Sequence, residues 1–500
     1  MITFNYLDLF NALAPETIVT VFAFLALLVD LAFLRRSPNR TRRAAGAAVA
    51  GAGCVAAMVW LGFQEGGTVF NQALLSISPL TQLAKQVLLA LTVFTVLLSV
   101  DSEFTDHVGE FFALVLLATV SMMVLVSTGN LLLIFVALEM TSLCLYILTA
   151  FNKRNLQSSE AALKYFLVGS VSAAFMLFGL SWLYGLGNTL DLEQLPAALG
   201  GAGREPIFYV ALVMTLMGFG FKIAVVPFHL WAPDAYQGAP IPAAALIASG
   251  SKVASFFVLT RVMIQGFAGA EGSAGWRHLT PGYLPTLAVL AVLSMVIGNL
   301  AALTQKSVRR LLAYSAIAHA GYMLVGLVAG NTLGTTALLF YVMTYALTVI
   351  GAFGVVGVAQ GQGTDDSFAA FAGLRKRAPV AAGCMLVFIL SLAGVPPLVG
   401  FFGKVQLLLS ALHSPLDELS LLWLVILTIV MSTVSLYYYL QVLKQIFVAE
   451  APADAPALSP SFQAQLALVL LALLVVGLGC APGLLLDPLA AAIQSGLGSF

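Results

Sequence analysis

Apolar runs of about twenty residues recur along almost the whole chain and are separated by short polar breaks. Each run is long enough to cross the hydrocarbon core of a bilayer as a helix, the fold that satisfies its backbone groups without water. The pattern predicts an all-α polytopic membrane protein of about fourteen transmembrane spans. They are placed at 13–34, 44–63, 80–100, 111–128, 131–150, 163–186, 206–228, 241–267, 282–304, 310–329, 333–359, 379–410, 419–445 and 462–482.

Lysine and arginine in short loops mark the cytoplasmic side of a membrane protein, which tests the parity of this assignment. Arg35, Arg36, Arg40, Arg42 and Arg43 follow span 1, and Lys153 and Arg154 follow span 5. Lys306, Arg309 and Arg310 follow span 9, and Arg375, Lys376 and Arg377 follow span 11. All follow odd-numbered spans, so one missed or invented helix would break the agreement. Both termini are then expected to face the outside. The loop from Gly187 to Pro206, with Asp191, Glu193, Arg204 and Glu205, is expected outside.

Two spans are interrupted. Span 7 runs through Gly218, Gly220, Lys222 and Pro227, and span 12 carries Gly394-Val395-Pro396-Pro397 followed by Lys404. Proline removes a backbone donor and clashes with the preceding turn, so both helices are predicted to break inside the membrane. They lie five spans apart, and an odd offset reverses their direction across the bilayer. That is the arrangement of two inverted five-helix repeats, spans 4–8 and 9–13. The expected segments are 1–104 (three helices), 105–268 (first repeat), 269–446 (second repeat) and 447–500 (a loop and the last span). The plainer reading is that glycine and proline are common in membrane helices.

Composition supports the class: 60% of the 500 residues are hydrophobic and 9% charged, against roughly 25% charged in a soluble domain. The 22 basic and 22 acidic residues cancel, so nothing marks a nucleic-acid partner; the bilayer is the partner implied. Cys54, Cys144, Cys384 and Cys480 are scattered through apolar runs and read as small buried hydrophobes, with no metal or redox centre expected. An arginine cluster follows the first run in place of a small-residue cleavage site, so it reads as a span and not a signal peptide.

The chemistry lies in the charges inside the spans. Glu139 in span 5, Lys222 in span 7, Lys252 in span 8 and Lys404 in span 12 sit deep in apolar sequence. Each costs roughly 2.5–3.5 kcal/mol to insert, on the order of 10 kcal/mol for four, so they must be paired, hydrated or both. A purely structural set would pair its charges, whereas here three cations face one carboxylate. Desolvation favours the neutral amine of lysine and a nearby carboxylate favours the ammonium, which makes such a lysine a switchable proton carrier. The simplest sequence of events starts from a Glu139–Lys222 pair, passes a proton to Lys252 when the pair opens, and leaves through Lys404. His319 in span 10 is either a relay or a satisfied core histidine. His229 and Asp234, at the inner end of span 7, either guard proton uptake or cap a broken helix. Tyr437, Tyr438 and Tyr439 read as packing and interface anchors.

The stretches Phe219–Tyr236, Arg309–Tyr322 and Gly394–Lys404 together resemble the antiporter-like subunits of respiratory complex I, NADH:quinone oxidoreductase, over roughly residues 105–445. A length of 500 residues leaves no room for the long lateral helix of the L type, and Lys404 stands where the M type carries glutamate. The resemblance implies a place in the membrane arm beside subunits K and M, and proton translocation driven by quinone chemistry elsewhere. It implies no cofactor on this chain: NAD, FMN, iron–sulfur clusters and quinone belong to other subunits or their interfaces. It also implies relay roles for Glu139, Lys222, Lys252 and Lys404, with His319 and His229 as further candidates. Ala316 departs from the family pattern, in which many relatives have a second serine near His319. The alternatives are a subunit of a multisubunit cation/proton antiporter and a membrane scaffold whose charges only join helices.

Overall fold

A computed structural model describes residues 6–64, 68–70, 74–200, 206–361, 363, 365–414, 419–451, 458 and 460–496. Arg204 and Glu205 of the expected external loop lie outside the described residues.

The chain is a helical bundle, and its helices follow the apolar runs closely. The first third comprises α1 (Tyr6–Ala12), α2 (Ala14–Leu28), α3 (Asn39–Phe63), α4 (Pro79–Leu98), α5 (Val108–Ser127), α6 (Leu131–Thr149) and α7 (Leu156–Gly187). The middle holds α8 (Leu195–Leu199), α9 (Pro206–Ile223), α10 (Trp231–Gly238), α11 (Ile241–Ala248), α12 (Gly250–Arg261), α13 (Tyr283–Leu303), α14 (Val308–Val328) and α15 (Thr332–Gln360). The last third holds α16 (Leu374–Arg377), α17 (Pro379–Ala393), α18 (Val399–Leu412), α19 (Leu422–Phe447), α20 (Phe462–Cys480) and α21 (Gly483–Gly496). Two short antiparallel hairpins, β1 (Thr68–Phe70) with β2 (Leu75–Ile77) and β3 (Ser273–Ala274) with β4 (Leu279–Thr280), join spans.

Among the described residues thirteen helical segments are long and apolar enough to cross a membrane, and α17 with α18 forms a further, broken span. This is the fourteen-span count read from the sequence. The polar breaks do more than end apolar runs: they cap the next helix. Asn130 accepts from the amides of Leu132 and Leu133 at the start of α6, Ser307 from Arg310 at α14, and Asn331 from Gly334 at α15. Span 6 starts earlier than expected, at Leu156, because Asn155 caps it there and the helix carries its polar first turns outside the apolar run.

Helix α15 forms the spine, with α11, α12, α14, α17, α18 and α20 packed around it. The α11–α12 span is fully buried within the bundle. Its run Ala243-Ala244-Ala245 and Gly250 lets neighbouring backbones approach, as small residues do where no water drives helices together.

Both expected breaks exist, and side chains satisfy the backbone groups they free, as the hydrocarbon environment requires. After α9, Ala224 adopts a left-handed conformation (φ 58°). The Val226 amide then donates to Ser294 Oγ at 3.0 Å, and the indole of Trp231 donates to the Phe221 carbonyl at 3.1 Å. After α17, Gly394 turns left-handed (φ 86°) and the Gly400 amide donates to Ser391 Oγ at 3.2 Å. A third interruption was not anticipated: span 8 is two helices, α11 and α12, parted at Ser249, whose hydroxyl donates to Ala245 O at 2.6 Å. No proline marks that break.

Four further buried charges, in two pairs, tie the first helices together. Asp30, at the end of span 1, accepts two bonds from Arg42 at 2.7 and 2.6 Å and one from the Gly109 amide at 2.9 Å. Glu16 and Lys85 form a second buried pair at 2.7 Å. Removing one partner of a buried pair strands the other charge, at a cost of roughly 3–5 kcal/mol, whereas an apolar pair of similar volume is near neutral. Asp30→Ala is therefore expected to lower the thermal unfolding midpoint of the solubilised protein markedly, and Asp30→Leu/Arg42→Met to recover most of it. An unchanged midpoint in Asp30→Ala would show that the clamp is dispensable.

Candidate functional site

The four ionisable residues singled out in the sequence fall along one buried line through the middle of the bundle, with His319 between the last two. The line starts on α6. Glu139 Oε1 accepts from Lys222 Nζ at 2.9 Å, and the same ammonium donates to Ser142 Oγ and reaches Leu138 O at 3.4 Å. Lys222 projects from the last turn of α9, just before the break, with its ammonium 5.3 Å from the centre of the Phe221 ring. Its side chain is 8% exposed and that of Glu139 24%. Glu139 therefore reaches the outer surface of the chain, beside the exposed apolar Val136, Met140 and Leu143.

Beyond Lys222 lies a cavity with about the room of one water molecule. Thr141, Ser142, Tyr165, Lys222, Ser251 and Ser255 line it together with the apolar Leu125, Leu138, Leu145 and Ala254. Ser251 and Ser255 flank Lys252 on α12, so the cavity lies between Lys222 and the helix that carries Lys252. Lys252 is 1% exposed. It donates to the Ala316 carbonyl of α14, and its ammonium lies 5.5 Å from the centre of the Tyr345 ring.

His319, one turn along α14 from Ala316, is enclosed by tyrosines. Its Nδ1 is hydrogen-bonded to the Tyr341 hydroxyl at 2.8 Å and its Nε2 to the Tyr439 hydroxyl at 3.0 Å. The Tyr345 ring centre lies 4.9 Å from the imidazole centre, and the Tyr322 ring 5.5 Å away on the other side. Lys404 follows, its ammonium 5.2 Å from the Tyr322 ring centre. It donates to the carbonyls of Leu392 and Ala393 at 3.1 and 3.0 Å and to Ser432 Oγ at 2.8 Å.

The local sequence explains these positions. A helix end leaves carbonyls without partners and carries a partial negative charge. The break after α17 presents such an end in mid-span, and the Lys404 ammonium is drawn to it. Gly394 is needed for two reasons: its backbone is left-handed, and a Cβ there would sit 3.0 Å from Lys404 Cδ and 3.2 Å from Nζ. Among the described residues neither Lys252 nor Lys404 has a carboxylate at salt-bridge distance; Lys222 alone of the three is paired.

His229 and Asp234 separate. The Asp234 carboxylate is clamped between Lys164 of α7 at 2.9 Å and Arg310 of α14 at 2.6 Å, which joins the broken segment α10 to two full-length helices. This favours the capping role for Asp234. His229 is buried and its Nδ1 has no hydrogen-bond partner among the described residues. The tyrosine row also divides. Tyr437 is 60% exposed, as an anchor would be. Tyr438 and Tyr439 are buried and hydrogen-bonded, Tyr438 to Asn299 at 2.9 Å and Tyr439 to His319 and Ser315, so packing and anchoring do not describe them. Cys54 and Cys384 are buried and Cys144 is half-buried, while Cys480 is exposed and departs from that expectation.

Sequence reasoning missed the hydroxyls: Ser142, Ser432, Tyr341 and Tyr439. Single polar residues in apolar helices carry no periodic signal, because a hydroxyl commonly bonds to its own helix four residues back. It also passed over Lys85, Asp30 and Arg261, to which the argument from burial cost applies equally. The hydroxyl that Ala316 lacks is supplied at His319 by Tyr439 and Tyr341.

A family profile described as "NADH:quinone oxidoreductase/Mrp antiporter, TM" matches residues 128–434, a range that holds all six residues singled out. A protein of Acidobacterium capsulatum named NADH-quinone oxidoreductase subunit N 2 is 50% identical over 96% of this chain and 98% of its own. A chain of respiratory complex I from Thermus thermophilus is 35% identical and superimposes with a TM-score of 0.77, covering 95% of this chain and 99% of its own. A chain of the Mrp complex from Dietzia shares the fold at 22% identity, with a TM-score of 0.79 over 96% of this chain and 97% of its own.

The Asp234 clamp has a pH signature. Burial pushes its pKa up, but the bonds and charges of Lys164 and Arg310 outweigh burial and hold it below the ordinary 3.8. Such a group stabilises the fold above its ordinary pKa, and the stabilisation is lost as the pH falls through its lowered value. Thermal unfolding of the solubilised protein from about pH 7 to about pH 3 is expected to show wild type above Asp234→Asn at neutral pH, the two converging at the acid end. Curves that stay parallel would mean the carboxylate is not linked to folding.

Proposed function

The chain belongs to the NADH:quinone oxidoreductase/Mrp antiporter family of membrane proteins, and from that premise we propose that it translocates protons as subunit N of an NADH:quinone oxidoreductase. It is a subunit of a translocase, and the redox chemistry takes place in other subunits. The reading rests on one observation above all: three lysines and a histidine form an enclosed line in which, among the described residues, one lysine alone has a carboxylate partner.

In this reading Glu139 holds Lys222 charged. At contact distance, with an effective dielectric constant of about 20, their attraction is on the order of 5 kcal/mol. That is close to the ~4–5 kcal/mol separating an ordinary lysine from one that releases its proton near neutral pH. Opening the pair thus suffices to send the proton through the cavity beside Ser142, Ser251 and Ser255 to Lys252. From there it passes along α14, by His319 and its hydroxyls, to Lys404 and out past Ser432. His229 stays a candidate for uptake, since its Nδ1 is buried without a partner. Moving a proton against 100 mV costs about 2.3 kcal/mol, so each transfer draws on quinone reduction elsewhere in the complex.

The setting we propose is the membrane arm beside subunits K and M in a bacterial inner membrane, with both termini periplasmic and no cofactor on this chain. The basic loops after odd-numbered spans support the orientation. The broken helices α9 and α17–α18, five spans apart, support two inverted repeats over 105–268 and 269–446. The antiporter reading draws on a shared fold at 22% identity, whereas relatives named for the quinone oxidoreductase are far more similar in sequence.

The test is NADH-driven proton uptake into inverted membrane vesicles carrying single variants. Glu139→Gln, Lys222→Met, Lys252→Met and Lys404→Met are each expected to lower pumping by about a hundredfold, the lower end of what a positioned proton-transfer group contributes, in a complex that still assembles. Assembly with undiminished pumping would favour the scaffold, and sodium-dependent transport without NADH would favour the antiporter.

A further inference from the structure

We infer that Tyr341 is a positioning residue through which the seating of α18, the helix that bears Lys404, is felt at the imidazole of His319. The inference deepens the relay reading above and rests on it.

A neutral imidazole has one nitrogen that donates and one that accepts, and the partners of the two nitrogens decide which is which. Both partners of His319 are tyrosine hydroxyls, and the two are held differently. The Tyr439 hydroxyl is held as well by Ser315 of α14, the helix of His319 itself. Tyr341 belongs to α15 and donates to, or accepts from, Nδ1 at 2.8 Å. Its ring lies against α18 at Gly403, where a Cβ would come within 3.0 Å of Tyr341 Cε2 and closer still to Cδ2. Gly403 is adjacent to Lys404. The Tyr341 ring therefore has the backbone of α18 on one side and the histidine at its tip, and a well-packed ring cannot stay in place if the helix against it moves.

The link gives the relay an order. A charged Lys404 is bonded to the carbonyls of Leu392 and Ala393, which holds α18 against the end of α17. When the ammonium loses its proton it keeps fewer donors for those carbonyls, and the hold on α18 weakens. Displacement of α18 carries the Tyr341 ring with it and takes the hydroxyl from Nδ1. The hydroxyl thus holds the imidazole at Nδ1 while Lys404 is charged and cannot take a proton, and releases it when Lys404 is neutral and can. Tyr345, whose hydroxyl is buried without a hydrogen-bond partner among the described residues, shows that a tyrosine in this cage does not need such a bond to be packed.

The experiment uses the assembled complex in inverted vesicles, with NADH-driven pumping as the readout. Tyr341→Phe keeps the ring and removes the hydroxyl, and is expected to lower pumping about three- to tenfold, the worth of one hydrogen bond, without loss of assembly. Gly403→Ala forces the ring aside and is expected to do the same. The decisive readout is the double variant. If the hydroxyl transmits the effect, Gly403→Ala adds little once the hydroxyl is gone; if the contact is packing alone, the clash with the phenylalanine ring is the same and the two effects multiply. Multiplying effects, or wild-type pumping in Tyr341→Phe, would overturn the inference. Should Gly403→Ala fail to assemble, Tyr341→Phe decides alone. Lys404→Met in parallel separates the two claims: normal pumping there sinks the relay itself, while loss there with normal pumping in Tyr341→Phe sinks the positioning role.

Discussion

A charge in the dry interior of a membrane protein has to be met by something, and in this chain the broken helices meet it. The break after α17 frees carbonyls that hydrocarbon cannot satisfy, and Lys404 is an ammonium that hydrocarbon cannot solvate. Each supplies what the other lacks. At α9 the same economy is divided among more residues: Trp231 and Ser294 take up the freed backbone groups, while Lys222 finds Glu139 and Ser142. The interruptions that weaken two helices are thus what allows lysines to stand in mid-span.

The rest of the bundle is arranged to keep those breaks from collapsing or flooding. Helix α10 is only eight residues long and would not hold its place alone, since isolated helices of that length are marginal. It is held by Asp234 between Lys164 and Arg310, and by Arg309, which donates to the carbonyls of Tyr236 and Ala239 at its end. Tyr165, which lines the cavity beside Lys222, is stacked on Trp231 of α10 with ring centres 4.1 Å apart. The long helix α15 supplies Tyr341 and Tyr345 from a backbone that is buried along most of its length. A site of this kind needs rigid walls, because a displaced ammonium in a low dielectric has no water to fall back on.

Much of this was legible in the sequence because insertion cost and proline chemistry act on single residues. Glu139, Lys222, Lys252 and Lys404 stand out in apolar runs whatever their neighbours are, and Pro227 and Pro396-Pro397 announce their breaks. The break at Ser249 carries no such mark; it follows from packing of the small-residue segment Ala243–Ala248 between other helices, and tertiary contacts are not written in a local window. The hydroxyls of Tyr341, Tyr439 and Ser432 were hidden for the same reason. Their value lies in whom they face across the bundle, and a tyrosine in an apolar helix looks the same whether it anchors, like Tyr437, or bonds to a histidine, like Tyr439. Asp234 was read as open between two roles because the sequence places it beside His229, while the fold turns it toward α7 and α14.

The line is not uniform, and its asymmetry carries a direction. At one end the ammonium of Lys222 is held by a full carboxylate charge, at the other that of Lys404 by two carbonyls and a hydroxyl. A carboxylate and helix-end dipoles differ in how far their hold can be altered from outside. The dipoles of α17 are fixed by its backbone, so the hold on Lys404 changes with its own protonation and with the seating of α18 against α17. Glu139 is 24% exposed on the outer face of α6, and a charge arriving next to it acts through protein and lipid, where salt screens weakly. The end that is open to an external electrostatic signal is therefore the Lys222 end, and the end that responds to movement is the Lys404 end. In the proposed relay a charge acts at the Lys222 end and a shape at the Lys404 end, and the two ends lie in one chain.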